Sequence, residues 1–180
     1  MLAHVVLAFA LGSTATDTGG IAAFDAKVTD YLRIRQEIAS RLPPDRTFDD
    51  PGQMLHERAE LRSAIRKARA DARPGGVFTP DAAPAFRRII AATIVASGVD
   101  PDDLVERFND DRTPGARPPA VNKRYDWRLG AWMWPALLRE LPRLPPELEY
   151  RIVDDDLVLI DLHASLVVDI LKDALDVGGE

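Results

Sequence analysis

Residues 147–171 read ELEYRIVDDDLVLIDLHASLVVDIL, and this stretch decides the fold. It is the part of the chain with a sustained alternation of period two, which is typical of strands that bury one face. Val, Ile, Leu and Tyr dominate it, and turn residues interrupt it at Asp154–Asp156 and at Ala164-Ser165. The spacing predicts a two- or three-stranded antiparallel β-meander with a tight turn at each interruption.

Three long segments upstream of the meander have the apolar spacing of amphipathic helices. Proline and glycine mark the predicted ends of these helices. Pro43-Pro44 stops the first, Pro74-Gly75-Gly76 follows the second near Ala72, and Gly98 ends the third. Each helix also has a start signal. The predicted starts are, in chain order, Thr16 or Thr18 as caps, Asp50-Pro51, Asp81 as a cap with Pro84 in the first turn, and Asp100-Pro101 for a short fourth helix.

These elements predict an α+β fold, with a mainly helical scaffold followed by the meander. Residues 1–15 form a predicted signal peptide, and residues 16–180 form one domain, which is the number expected from this length. Within that domain the helical part covers about 18–111. A Pro- and Trp-rich connection spans 112–146, and the meander spans 147–171.

The composition restricts the classes of function. The chain has no cysteine, which excludes disulfides, thiolate nucleophiles and thiolate metal sites. Its net charge of −6 argues against nucleic acid as the main partner. A basic face on the second helix could bind an acidic surface, but acidic residues are interleaved with it, so we favour a solvated helix face.

The N-terminal run LAHVVLAFAL at residues 2–11 is too short to span a bilayer, which takes ~20 residues in a helix. It fits the apolar segment of a secretory signal peptide, and Ser13 and Ala15 supply small residues for cleavage after Ala15. A buried N-terminal strand or helix is the alternative. We expect export to the periplasm or medium, with no transmembrane span in the mature chain.

All three tryptophans lie within residues 127–134, close to Tyr125. One interpretation is an aromatic platform for a glycan or peptide, formed by Tyr125, Trp127, Trp132 and Trp134. The other is a loop whose large side chains seal the helices against the sheet, since a tryptophan buries ~200 Å². We favour the second interpretation and keep the four residues as candidate binding residues.

Four short segments of the chain resemble those of a group of small exported bacterial proteins without an assigned function. They are LPRLP at 141–145, LEYR at 148–151, DLVL at 156–159 and DLHA at 161–164. The resemblance covers about the last two thirds of the chain and implies export, but no activity. The meander is also distantly similar in shape to the C-terminal sheet of periplasmic nickel/cobalt-homeostasis proteins. That similarity transfers no metal ligand.

Asp161 and His163 are expected on one face of the second strand, ~7 Å apart, because alternate residues share a face. With Asp169 on the next strand they could hold a divalent metal or perform acid–base chemistry. We favour polar residues on a solvated sheet edge. The run Asp154–Asp156 lacks the glycine and the spacing of a calcium loop, so a tight turn is expected there.

No phosphate-binding loop, dinucleotide fingerprint or nucleophile elbow is present in the sequence. We therefore expect a non-enzymatic exported binding or accessory protein without a cofactor, whose partner is a protein or an envelope component. The alternative is metal binding or sensing through Asp161, His163 and Asp169.

Overall fold

We describe the fold from a computed structural model, which describes residues 11–42, 51–109, 113–130 and 133–176. Helices precede a C-terminal three-stranded antiparallel sheet, so the α+β prediction is confirmed. The elements are α1 (Leu11–Ala39), α2 (Pro51–Ala68), α3 (Ala83–Ser97), α4 (Pro101–Asn109), a 3-10 helix (Trp127–Leu129), α5 (Pro135–Glu140), β1 (Leu148–Val153), β2 (Asp156–Asp161) and β3 (Leu166–Leu171).

The first helix begins earlier than predicted. Helix α1 starts at Leu11, so Thr16 and Thr18 lie inside it and are not caps. Ala15, the predicted cleavage residue, also lies within α1, whereas residues 1–10 lie outside the described part of the chain. Leu11, the last residue of the apolar run, and the periodic segment that follows it therefore lie in one helix. Cleavage after Ala15 stays a prediction.

The other helix boundaries agree with the proline and glycine signals more closely than with the predicted caps. Helix α2 begins at Pro51 as expected, although Asp50 lies outside the described residues and the helix ends at Ala68 rather than Ala72. Helix α3 begins at Ala83, and Asp81 does not cap it. The carbonyl oxygen of Thr79 accepts hydrogen bonds from the amides of Ala82 and Ala83, which already form a turn there.

Helix α3 ends as predicted at Gly98, which has a φ of 63°. Its left-handed conformation favours glycine, and its amide donates to the carbonyl oxygen of Val95. The start of α4 also agrees with its Asp-Pro signal, because Oδ1 of Asp100 accepts a hydrogen bond from the Asp102 amide at 2.9 Å. Local capping chemistry therefore decides these two boundaries.

Gly20 marks the closest approach of α1 to the beginning of α3. A Cβ atom at this position would lie 2.8 Å from the carbonyl oxygen of Asp81 and 2.9 Å from Cβ of Ala85. The neighbouring Gly19 has nothing within 4 Å of the corresponding position. The glycine at position 20 therefore lets α1 pack directly against the α3 start.

The sheet has the strand order β1-β2-β3, and both of its faces are buried. One face packs against the helices, where Phe24 of α1, Phe86 of α3 and Tyr150 of β1 form an aromatic cluster. Leu157 and Leu159 lie on this face. The opposite face forms a second core, whose apolar strand residues are Val153, Val158, Ile160, Val167 and Ile170.

The connection between the helices and the sheet covers this second face. Tyr125 and Leu129 are buried against it, and Ala116 and Val121 pack at its margin. The prediction that this loop seals the helices against the sheet is wrong for Tyr125, which seals the face turned away from the helices. Trp134 does pack against the core that the helices and the sheet share. A sheet with helices on one side alone would leave the second face exposed to water.

Backbone hydrogen bonds attach the connection to the edge of β3. The amide of Asn122 donates to the carbonyl oxygen of Val167 at 2.8 Å, and the Val167 amide donates to Lys123 at 2.9 Å. Arg124 forms an isolated antiparallel bridge with Leu166. The protein's own chain thereby closes the β3 edge at Leu166 and Val167. Among the described residues, no helix is long and apolar enough to cross a membrane.

Candidate functional site

Asp161, the first predicted metal ligand, is fully buried and joins the sheet to α1. Its Oδ2 accepts hydrogen bonds from the Tyr31 hydroxyl at 2.7 Å and from Nε of Arg35 at 2.8 Å. Its Oδ1 accepts one from the amide of Ala164 at 2.9 Å, within the following turn. Burial, followed by the negative charge of Asp161, raises the pKa of Tyr31, so this hydroxyl stays a donor. Both carboxylate oxygens are occupied.

Asp169, the third predicted ligand, is also fully buried but serves a different element. Its Oδ1 accepts a hydrogen bond from the amide of Gly75 at 3.0 Å. Its Oδ2 accepts from the amides of Val77 at 2.6 Å and Phe78 at 2.7 Å. The carboxylate thus satisfies three backbone donors of the loop between α2 and α3 and fixes this loop on β3.

His163, unlike the two buried carboxylates, is exposed. It lies in the four-residue turn after β2. Strand β2 ends at Asp161, so the expectation that both side chains share one strand face was wrong. Ser165 closes the turn with a φ of 48°. In the described part of the chain, Asp161, His163 and Asp169 do not form a group of converging metal ligands.

The described residues contain one group of three converging carboxylates, formed by Asp155, Asp156 and Asp173, with ligand oxygens within 4.8 Å of one another. The ammonium of Lys172 pairs with Oδ2 of Asp156, and the Asp173 amide donates to its Oδ1. The carbonyl oxygen of Asp155 accepts from the amide of Ala174 at 2.7 Å. The group ties the C-terminal segment to the β1–β2 turn, which is the tight turn predicted for this run.

Those candidate aromatic residues that the structure describes, Tyr125, Trp127 and Trp134, do not form one platform. Trp127 lies on the 3-10 helix with 40% of its surface exposed, and its ring packs edge to face against buried Tyr125 at 5.0 Å. Trp134 is half-buried against the helical core, at the start of α5. Trp132 lies outside the described residues. Tyr125 and Trp127 therefore belong to one local site, and Trp134 packs elsewhere.

A cavity of about 500 Å³ opens beside Trp127, and we call it the Trp127 cavity. Tyr125 and Trp127 form its aromatic part, and charged residues form the rest. The charged lining residues are Arg117, Arg124, Asp126 and Arg128. This combination of a partly exposed indole with guanidinium groups is the arrangement that holds the ring and the charge of an anionic ligand.

Asp126 organises this cavity and neutralises one of its arginines. The carboxylate accepts hydrogen bonds from the amides of Arg117 and Arg128, and from the Arg128 side chain at 2.6 Å. These bonds, chiefly the one from the Arg128 guanidinium, hold the pKa of Asp126 well below its usual range. Within the described residues, Arg117 and Arg124 form no ion pair with a carboxylate. The cavity therefore keeps two positive charges available.

Tyr125 provides the fixed wall of the cavity. It is 1% exposed, and its hydroxyl donates to the carbonyl oxygen of Gly130 at 2.9 Å. Burial raises its pKa to about 12. The Trp127 indole N–H donates to Oγ of Ser165 at 3.4 Å, across to the turn that follows β2. The aromatic pair is thus held by both the connection and the sheet.

Sequence reasoning identified Tyr125 and Trp127 but missed the arginines of the Trp127 cavity. The signal was local, because KRYDWR at 123–128 alternates basic and aromatic residues. Arg117 had no such signal, since it reaches the site through the backbone bond to Asp126. A scan against protein-family models and searches of curated proteins and of solved structures give no match to this chain.

Proposed function

We propose that the protein is an exported, non-enzymatic binding protein that holds an anionic ring-bearing ligand in the Trp127 cavity. The observation that carries this proposal is a pair of arginines, Arg117 and Arg124, that form no ion pair with a carboxylate of the described residues and lie beside a partly exposed tryptophan. The whole chain is acidic, with a net charge of −6. Cationic groups gathered around one cavity of such a protein favour an anion there over the rest of its surface.

The ligand class follows from the lining. Guanidinium groups pair with carboxylate, sulfate or phosphate oxygens through charge-assisted hydrogen bonds. The exposed part of the indole offers an apolar surface with a polar edge, which suits the C–H face of a sugar ring. An acidic sugar supplies both features in one molecule. Export, which the N-terminal run and the resemblance support, would place the protein where envelope saccharides are found.

Rigidity favours binding at this cavity. Asp126 holds Arg128 and the backbone of Arg117, while Tyr125 is buried and hydrogen-bonded. The amide of Tyr125 also donates to the carbonyl oxygen of Ser165 at 2.9 Å. The part of the site formed by Tyr125, Asp126 and Arg128 is therefore already fixed and loses little conformational entropy when the ligand arrives, whereas the exposed side chains of Arg117 and Arg124 are ordered by the ligand.

The test compares galacturonate with galactose, which is the neutral sugar of the same ring. We expect galacturonate to bind and to shift the indole N–H resonance of Trp127, and galactose to bind at least about tenfold more weakly, since a hydrogen bond to a charged group contributes about 1.5–3 kcal/mol. The variant Arg117→Gln/Arg124→Gln should lose this preference. Arg139→Gln removes an exposed arginine outside the cavity and is the matched control.

Equal binding of the two sugars, or no binding of either, would contradict the proposal. Export has its own test, which is mass spectrometry of the N-terminus of protein from native cells. A start after Ala15 supports export. An intact Met1 on protein recovered from the cytosol would contradict it.

Metal binding through Asp161, His163 and Asp169 is the alternative, and it has a direct test. The two aspartates already accept hydrogen bonds on both carboxylate oxygens, so a metal would have to displace protein donors. Bound Ni²⁺ or Zn²⁺ at 100 times its Kd would stabilise the fold by about 2.7 kcal/mol. We expect no such rise in melting temperature. A rise that disappears in His163→Ala would favour the alternative.

A further inference from the structure

A second basic depression lies between α2 and the start of the connection, and we call it the α2 groove. Its volume is about 580 Å³. Arg66 and Lys67 of α2 line one side, Asn122 and Lys123 line the other, and Ser63 supplies a hydroxyl. The lining contains three cationic side chains and no carboxylate. Most of the basic side chains that the structure describes in the connection line either the α2 groove or the Trp127 cavity.

The α2 groove is built rigidly from two distant parts of the chain. The side-chain amide of Asn122 donates to the carbonyl oxygens of Arg66 at 3.1 Å and Arg69 at 2.8 Å, which are acceptors at the end of α2. Asn122 adopts a φ of 62°, and its backbone amide is bonded to Val167 of β3. The groove therefore has fixed walls, like the Trp127 cavity.

Arg62 adds a positive charge close to one basic residue of each opening. Its guanidinium donates to the carbonyl oxygen of Ala164 at 2.9 Å, in the turn after β2. Its pKa is lowered by burial and then by the nearby positive charges of Arg124 and Arg66. Arg124 lines the Trp127 cavity and Arg66 lines the α2 groove, so Arg62 lies within electrostatic reach of both. Lys123 and Arg124 are also consecutive residues.

We propose that the two openings form one binding track for an extended acidic polysaccharide, with one sugar unit at Trp127 and further carboxylates paired along the α2 groove. This inference rests on the proposed function, and it adds that the natural ligand is a chain of acidic sugars. Once the first sugar unit is bound at Trp127, the carboxylates linked to it would reach the cations of the α2 groove in an intramolecular step. Such a step raises the overall affinity without a new kind of contact.

The lining argues against other polyanions. Single-stranded nucleic acid binds through successive aromatic side chains on which bases stack, and no aromatic residue lines the α2 groove. An acidic peptide would gain affinity by adding a strand to a sheet edge, but beside these openings the β3 edge is already paired, because Leu166 and Val167 bond to residues 122–124. The Ser63 hydroxyl beside lysine and arginine side chains instead matches the hydroxyls and carboxylates of a uronic acid chain.

The test measures binding of galacturonate oligomers of increasing length to the full chain by calorimetry. We expect the longer oligomers to bind at least about tenfold more tightly than the monomer. A tethered second contact can raise the overall affinity by a factor of about 10²–10⁴ at best. The variant Arg66→Gln/Lys67→Gln should abolish this gain and leave monomer binding unchanged. Both side chains are exposed, so the fold should persist. Lys27→Gln/Arg33→Gln on α1 removes the same charges at an exposed site and is the control.

The outcomes separate the two proposals. Monomer binding without a length dependence overturns the extended track and leaves the proposed function standing. Failure of the monomer and of every oligomer contradicts both. Single-stranded DNA or polyglutamate of equal charge provides the comparison for partner class. Tighter binding of either than of the galacturonate chain would overturn the assignment to a polysaccharide.

Discussion

Asp161 provides the most informative single substitution, because its carboxylate is either a structural anchor or a predicted metal ligand. It is fully buried, and it holds the Arg35 side chain, which is 14% exposed, together with the hydroxyl of Tyr31. Asp161→Asn keeps the shape and removes the charge. Arg35 would then remain largely buried without its counter-ion.

The expected loss can be estimated from this geometry. Removing one partner of a buried ion pair costs about 3–5 kcal/mol, and the partial exposure of Arg35 places the value near the lower limit of about 3 kcal/mol. For a chain of 180 residues this corresponds to a fall in Tm of roughly 6–12 °C, at about 2–4 °C per kcal/mol. A domain stabilised by about 5–15 kcal/mol retains its fold after such a loss.

Asp156→Asn is the matched control, because Asp156 begins the same strand that Asp161 ends. The Asp156 side chain is 4% exposed, but its partner Lys172 is 59% exposed, and burial raises the pKa of Asp156 in spite of that partner. Loss of the Asp156 charge should therefore cost no more than about 1 kcal/mol. Urea denaturation followed by circular dichroism gives both free energies of unfolding. If Asp161→Asn destabilises the protein no more than Asp156→Asn, the anchoring role of Asp161 is refuted.

Three further outcomes are expected from urea denaturation. Gly20→Ala should destabilise the protein by about 1–3 kcal/mol, because the new methyl group overlaps the start of α3. The methyl group of Gly19→Ala meets no atom, so this change should stabilise the protein by about 0.5–1 kcal/mol through the higher helix propensity of alanine. Equal effects of the two changes would refute the close packing. Asp169→Asn should cost about 2–3 kcal/mol, because the new side chain has one accepting oxygen, and its NH2 group would face a backbone N–H that Asp169 now satisfies; a neutral result would show that the loop is held otherwise. Tyr125 has a pKa raised to about 12 in the folded protein, so its contribution is complete below pH ~10 and is lost as pH rises toward 12. The stability difference between wild type and Tyr125→Phe should shrink over that range and not below it.

The helices and the meander could be predicted because their signals are local. The period-two alternation of 147–171 is present in the residues themselves, and the strands at Leu148–Val153, Asp156–Asp161 and Leu166–Leu171 follow it. Proline at position 51 and glycine at 98 set helix ends by backbone chemistry that needs no distant partner. The start of α1 was missed because an apolar run resembling a leader continues directly into an amphipathic helix.

The candidate site depended on contacts that no local pattern contains. Alternation indicates that a face is buried, but it does not indicate what covers it, and here the connection at 113–130 covers the second face. The aspartates looked like solvated edge residues, yet the hydroxyl bonded to Asp161 belongs to Tyr31, 130 positions earlier in the chain.

The sequence by itself determined the α+β class, the order of the elements and the absence of thiol chemistry, since these follow from composition and short-range spacing. Only the tertiary structure decided that Asp161 and Asp169 are internal anchors, and that Arg117, Arg124 and Trp127 share one cavity. The physical reason is that a charge acquires its role from its neighbours in space. A buried carboxylate must find donors, and an arginine without a carboxylate partner leaves its charge available for a ligand.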